Sequence, residues 1–290
     1  MNTIWSDYVQ NIGTLYFSRA LRFSDEYQEK YRNAFRIDGK KRILEIGCGP
    51  GALTQSLTRW YPNAEIIGID RDTAFIEFAK QQAPDITFME ADATALPFED
   101  NSFDVVISNT VQEHIAPSVF FGEQFRVLKP NGICLVLSAR PGINIIADCI
   151  AEQSSFEEAI WKKVEPFYQN VNQEYHVGRY SMSESELPFA MEQYGFRQIS
   201  TDYLTVNLTP DNPENSQELA CAMINANRQT NIDGVNSLLH IASGVVNQAE
   251  LSELKKLVNA KYDKRIEFYH AGIKQWDTNV ALTMVLRGVK

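Results

Sequence analysis

The chain has 290 residues, 44% of them hydrophobic, and carries a formal charge of −10 at neutral pH. That balance excludes a generally basic nucleic-acid or anionic-membrane surface, and no window approaches the ~18 uninterrupted apolar residues of a membrane span. Four cysteines, Cys48, Cys134, Cys149 and Cys221, lie far apart without a C-x-x-C pair, and the four histidines form no H-E-x-x-H, so neither a disulfide framework nor a metal site is expected. The opening "MNTIWSDYVQ" lacks the basic-then-apolar order of a signal peptide, and the expected setting is cytoplasmic.

Residues 1–36 read as an N-terminal helical cap. Residues 37–149 read as a core in which short β-rich runs alternate with helix-period segments: "RILEIG", "LTQSLTRWY", "EIIGID", "TAFIEFAKQQ", "ITFMEA", "SFDVVISN", "FFGEQFRVL", "GICLVLSA". This alternation predicts a parallel sheet covered by helices. Leu53, Leu57 and Trp60 share one helical face, as do Phe121, Phe125 and Leu128, and "LKPNG" is expected to end the latter helix in a turn. Residues 150–183 read as a helical lid segment rich in aromatics. Ser183 and Glu186 then form a capping box for a helix that Gly195 closes. Residues 184–208 and 276–290 complete the core with a sixth strand, "FRQISTDYLTV", and a seventh, "TNVALTMVLRGV". Between them residues 209–275 are an insertion of helical period, with Leu251, Leu254, Val258, Tyr262 and Ile266 on one stripe.

The chemistry concentrates at the ends of the first strands. In "ILEIGCGPGALT" the glycines follow the first strand and open the first core helix, where missing side chains let a ligand approach backbone. Gly47, Gly49 and Ala52 satisfy a dinucleotide pattern with Asp70 about 20 residues on, so the loop alone leaves a nicotinamide dinucleotide open. Glu45, just ahead of the loop, repels a pyrophosphate but attracts an ammonium or sulfonium. Asp92, past the third strand, can receive an exocyclic adenine amine, with the Ala93 amide beside it. Singly, each has a plain structural use as a tight turn, a helix cap or a turn initiator. Together they occupy three successive strand ends, where open α/β sheets bind ligands.

"LEIGCGPG", "IIGIDRD", "EADATALPFEDNSFDVVISNTVQEHI" and "EQFRVLKPNGICLVLS" resemble, in order and spacing, the motifs of class I S-adenosylmethionine-dependent methyltransferases, in particular the ubiquinone/menaquinone-type branch. The resemblance implies a doubly wound, seven-stranded Rossmann-like α/β sheet with S-adenosyl-L-methionine as cofactor. It implies that Glu45, Gly47, Cys48, Gly49 and Gly51 line the methionine half and that Asp70, with Arg71 beside it, takes the ribose. Asp92 and Ala93 would take the adenine, and Asn109 would face the sulfonium. The insertion between strands 6 and 7 departs from the family, where a short hairpin is usual, and is open to roles as a substrate lid, a homodimer interface or a docking surface.

For the methyl acceptor, His114 is the best-placed candidate base. Tyr168, Tyr175, His176 and Tyr180 are candidate substrate contacts, and Tyr16 and Arg19 are candidates for the cofactor carboxylate, although a surface or packing role fits that pair better. The expected function is methyl transfer to an O, N or C nucleophile of a small, partly apolar molecule, with no nucleic-acid partner and no membrane insertion. The alternatives are an NAD(P)-dependent oxidoreductase and a non-catalytic methyltransferase-like binding module.

Overall fold

A computed structural model describes residues 5–39 and 41–290, apart from the side chains of Tyr168, Gln169 and Asn172. Helices α1 (Trp5–Tyr8), α2 (Ile12–Arg22) and α3 (Gln28–Phe35) precede the sheet. The core then runs β1 (Arg42–Ile46), α4 (Ala52–Trp60), β2 (Glu65–Asp70), α5 (Thr73–Gln82), β3 (Thr87–Glu90), β4 (Phe103–Asn109), α6 (Pro117–Val127) and β5 (Leu128–Ile145). Next come α7 (Asp148–Ala151), α8 (Ser155–Glu174), α9 (Glu186–Gln193), β6 (Arg197–Leu208), α10 (Gln217–Ile241), α11 (Gln248–His270) and β7 (Thr278–Val289).

The seven strands pair in the order β3-β2-β1-β4-β5-β7-β6, with β7 antiparallel to both neighbours and the β1 to β5 pairings parallel. β1 and β4 lie side by side although two strands separate them in sequence, which makes their carboxyl ends the topological switch point. Both faces of the central strands are covered, so they read as near-continuous apolar runs: Ile43, Leu44, Val105, Val106 and Ile107 are all inaccessible. Leu53, Leu57 and Trp60 bury the inner face of α4, as their spacing predicts.

Three local outcomes differ from the sequence reading. α6 passes directly into β5 at Leu128, and "LKPNG" is an irregular start of that strand, with Asn131 left-handed (φ 65°) and the β4 register shifting beside it. β5 also runs beyond Ala139 to Ile145, because β7 is long enough to pair with it through Thr278. α8 stops at Glu174, and the expected helical segment 150–183 gives way there to turns that carry His176 and Gly178 at positive φ. The Ser183–Glu186 box forms with reciprocal bonds of 2.8 and 3.3 Å, and Gly195 (φ 95°) follows α9.

Residues 209–275 fold as α10 and α11 and share an apolar cluster with α8, in which Ile160 and Val164 meet Ile224, Leu238 and Leu254. A buried ion group fastens the ends of this segment. Arg265 on α11 donates to Asp277 at 2.6 and 2.9 Å and to Asp211 at 2.9 Å. Asp211 lies just after β6 and Asp277 just before β7, so one guanidinium ties both junctions. Among the described residues no helix is long and apolar enough to cross a membrane.

Candidate functional site

At the switch point the β1–α4 loop forms the floor of a cavity enclosing about 950 Å³ of empty space, part of it open to solvent. Gly47 has φ 67°, and a Cβ there would sit 2.3 Å from Val111 Cγ2, so the loop closes against the β4 end only with glycine. Several loop amides are already engaged: Cys48 N donates to the Ile69 carbonyl at 2.8 Å, Gly49 N to Asp70 Oδ2 at 2.9 Å and Gly51 N to the Cys48 carbonyl at 3.0 Å. Those three N–H groups do not cradle an external phosphate.

Below the loop Glu45 is almost wholly buried and accepts a 2.5 Å hydrogen bond from the Thr54 hydroxyl. Burial pushes its pKa up to about 8, the Thr54 bond opposing and the Asp70 charge adding to the rise. A carboxylate held this way is stabilised in its ionised form by any cation that enters. Asp70 ends β2 and takes the amides of Gly49 and Asp72, each at 2.9 Å; burial raises its pKa in spite of those bonds. Its remaining lone pairs can accept further hydroxyls. The cap of the following helix comes not from Asp70 but from Asp72, which accepts from Ala74 N and Phe75 N. Asp92 lies at the rim, where Oδ1 accepts from the Thr94 amide at 2.8 Å and its hydroxyl at 2.7 Å. Asp92 is thus both a turn initiator and a cavity wall.

The roof comes from the N-terminal helices. Ser6 donates its N–H (2.8 Å) and hydroxyl (3.0 Å) to the two oxygens of Asp72, which pins α1 to the start of α5. Trp5 then lies over Arg71, whose guanidinium is 5.2 Å from the ring centroid. α2 contributes Leu15 and Arg19 to the wall, and Arg19 donates to the Thr110 hydroxyl at 3.0 Å. Burial, with Arg22 nearby, lowers the Arg19 pKa to about 10, so it is still a cation at neutral pH. Thr110, at the end of β4, holds φ 54°, a conformation that costs a β-branched residue energy and turns the chain into the cavity.

His114 also lines the cavity, in a 3-10 turn (Gln112–His114). Its Nδ1 accepts from the Gly178 N–H at 3.1 Å and its ring meets Trp5 edge-on at 4.8 Å. Burial and then the Arg71 charge lower its pKa to about 4, so the imidazole is neutral with its proton on Nε2.

Of the residues expected at the site, Glu45, Gly47, Cys48, Gly49, Asp70, Arg71, Asp92, Ala93, Asn109 and His114 line this one cavity. Gly51 lies behind it: at φ 85° it backs onto the Phe88 ring, and its role is helix–sheet packing. Tyr175, His176 and Tyr180 stand outside the wall. Tyr175 stacks on Tyr8 at 5.6 Å, His176 is exposed in its turn, and the Tyr180 backbone bonds Glu113 and Gln112 at 2.8 and 2.9 Å. The Tyr168 side chain lies outside the described residues. Tyr16 packs on Phe78, as expected of a packing residue, whereas Arg19 belongs to the cavity. Trp5, Leu15, Thr110 and Val111 carried no site signal in the sequence; the left-handed Thr110 is visible only in the folded backbone.

Residues 44–136 match the family model described as a methyltransferase domain. The whole chain superposes on phosphoethanolamine N-methyltransferase 2 of Haemonchus contortus, solved with S-adenosyl-L-methionine, at TM-score 0.53 and 17% identity, covering 99% of this chain and 59% of that one. The fold is that of the class I methyltransferases. The [4+2]-cyclase SpnF shares this methyltransferase fold, at TM-score 0.51 and 18% identity over 92% of this chain and 80% of that one. A methyltransferase fold therefore does not by itself fix the reaction. Among curated proteins the methyltransferase core is 38% identical over 122 residues to the phthiotriol/phenolphthiotriol dimycocerosates methyltransferase of Mycobacterium tuberculosis, covering 40% of this chain and 45% of that one. It is 38% identical over 113 residues to the fatty-acid O-methyltransferase of Mycolicibacterium smegmatis, covering 38% of this chain and 40% of that one. The chain spans less than half the length of these relatives.

Proposed function

We propose that this protein is an S-adenosylmethionine-dependent methyltransferase acting on an O, N or C nucleophile of a small, lipid-like acceptor. The observation that carries the reading is the joint placement of Glu45, Asp70 and Asp92 at three neighbouring strand ends around one cavity, with Arg19 over them. The donor set fits the cofactor: a buried carboxylate that a cation would ionise, a guanidinium for the amino-acid carboxylate, Asp70 for ribose hydroxyls, and Asp92 for the adenine amine. The engaged loop amides disfavour a dinucleotide pyrophosphate.

When bound, the cofactor would supply an electrophilic methyl on a sulfonium, a leaving group that keeps the carbon–sulfur electron pair while an electron pair of the acceptor O, N or C forms the new bond. The protein's part is to orient and to exclude water. Trp5 and Leu15 roof the cavity, and Asn109 and Thr110 line it at the end of β4. His114, with Nδ1 taken, offers an Nε2–H donor and is better suited to holding an acceptor oxygen than to removing a proton. The acceptor's lost proton then passes to water or to another group. An apolar acceptor is supported by the resemblance to the ubiquinone/menaquinone branch and by relatives named for phthiotriol dimycocerosates and for a fatty acid.

Calorimetry with S-adenosylhomocysteine tests the reading. The wild-type protein binds it, and Asp70→Ala binds at least about tenfold more weakly, the loss of a charge-assisted hydrogen bond of ~1.5 to 3 kcal/mol. Absence of wild-type binding, or an unchanged Asp70→Ala, counts against it.

A further inference from the structure

The insertion between β6 and β7 packs on α8, yet one of its side chains grips the roof of the cavity. α2 begins without a cap of its own: Asn11, at its N-cap, makes no side-chain bond to the helix and instead donates to the Asp233 carbonyl at 2.8 Å. The cap is supplied from α10. Asp233 Oδ2 accepts from the Thr14 N–H at 2.9 Å and the Thr14 hydroxyl at 2.6 Å, while Oδ1 accepts from Gln229 Nε2 at 2.8 Å. A carboxylate at this end of a helix satisfies amides that the helix leaves open and opposes its positive pole. The approach is close. A Cβ on Gly13 would lie 3.2 Å from both the Asp233 carboxylate and the Gln229 amide, so glycine makes room for α10. Beside this contact His240 of α10 meets Tyr8 of α1 at 5.7 Å.

We propose that Asp233 is a positioning residue for the cofactor, setting α2 so that Leu15 and Arg19 close the cavity, and that the insertion is thereby part of the cofactor site. Leu15 directly follows the capped Thr14, and Arg19 lies just over one helical turn further on, so a shift in the first turn is carried to both. α1 is held from the other side by Asp72, and the roof therefore spans two anchors, one on the core and one on the insertion. This inference rests on the proposed cofactor, and its test separates the two.

S-adenosylhomocysteine binding is measured by calorimetry for the wild type, Asp233→Ala, Asp233→Asn, Arg19→Ala and the Asp233→Ala/Arg19→Ala pair, with circular dichroism to verify folding. Asp233→Ala is expected to bind about tenfold more weakly, the scale of a lost charged cap, and Asp233→Asn, which keeps an acceptor oxygen, by less. In the Arg19→Ala background the Asp233→Ala loss should shrink to roughly threefold or less, because contacting and positioning residues on one path are not additive. Amide exchange over residues 12–22 should quicken in Asp233→Ala. A wild type that fails to bind removes the functional reading itself. A wild type that binds while Asp233→Ala binds equally well, or losses that simply add, overturns the role of Asp233. Should Asp233→Ala fail to fold, Thr14→Val, which deletes only the hydroxyl bond, is expected to bind roughly two- to fivefold more weakly, as befits one hydrogen bond; unchanged affinity again overturns the proposal.

Discussion

Glu45 and Thr54 share a 2.5 Å hydrogen bond beneath the glycine loop, the carboxylate on β1 and the hydroxyl on the first turn of α4. The bond favours the ionised carboxylate, but burial outweighs it and holds the pKa near 8. In the ligand-free protein at neutral pH, Glu45 is therefore mostly protonated.

Cofactor binding should for that reason release a proton. An entering ammonium lowers the Glu45 pKa, so the affinity for S-adenosylhomocysteine should rise with pH from about 6 to 8 and level off above the free-state value. Calorimetry at pH 7 in two buffers of different ionisation enthalpy measures the released proton directly, and Glu45→Gln should abolish the release. The sign for folding is opposite. A carboxyl whose pKa is raised on folding contributes stability that is complete below its unfolded value and lost as pH rises through about 8, so Glu45→Gln should flatten the fall in ligand-free stability across that window.

His114 leads to a different pH signature. Its Nδ1 is occupied by the Gly178 N–H and its pKa lies near 4, so no histidine ionisation should appear in the rate profile between about pH 5.5 and 7.5 from this residue. Nitrogen-15 correlation spectra at pH 6 should show the neutral Nε2–H tautomer. The unfolded chain binds a proton at about 6.5 that the folded chain refuses, so His114 subtracts stability as pH falls from 6.5 towards 4. A bell-shaped profile with a limb near 6.5 that vanishes in His114→Gln would restore the residue as a base.

The floor of the site was legible in the sequence because it is local. Glu45, Gly47, Gly49 and Asp70 belong to one strand–loop–helix–strand unit, and the motif spacing places them on the same sheet edge. The roof was not legible, since its bonds join Ser6 to Asp72 and Thr14 to Asp233, partners that no periodicity relates. Arg19 looked like a packing residue because helical period gives a face but not what the face meets. The length of β5 was missed for a similar reason: "RPGINI" has no strand pattern, and only its pairing with β7 extends it.

Arg265 should be essential to the insertion's attachment. Its guanidinium is wholly inaccessible between Asp211 and Asp277. Arg265→Met would leave two buried carboxylates without their cation, a loss of ~3 to 5 kcal/mol, whereas the exposed Lys256–Glu253 pair should cost under ~0.5 kcal/mol in Lys256→Met. Urea unfolding followed by circular dichroism measures both. Equal, small effects would mean that the clasp is solvated in solution.

Gly47 and Val111 give the sharpest test of the floor. Alanine at 47 faces two separate costs, a left-handed φ of 67° and a Cβ 2.3 Å from Val111 Cγ2. The first is about 1 to 2 kcal/mol and cannot be relieved by any neighbour. The second is an overpacking cost of ~1 to 3 kcal/mol that Val111→Ala removes, because the valine Cβ itself lies farther away, at 3.5 Å. Gly47→Ala should therefore lose both stability and S-adenosylhomocysteine affinity, and Gly47→Ala/Val111→Ala should regain part of each while staying below Val111→Ala alone. Thermal unfolding with and without ligand across the four proteins measures the cycle. Full recovery in the double variant would mean that the loop adopts another conformation at Gly47, and no recovery would mean that the backbone cost alone governs the position.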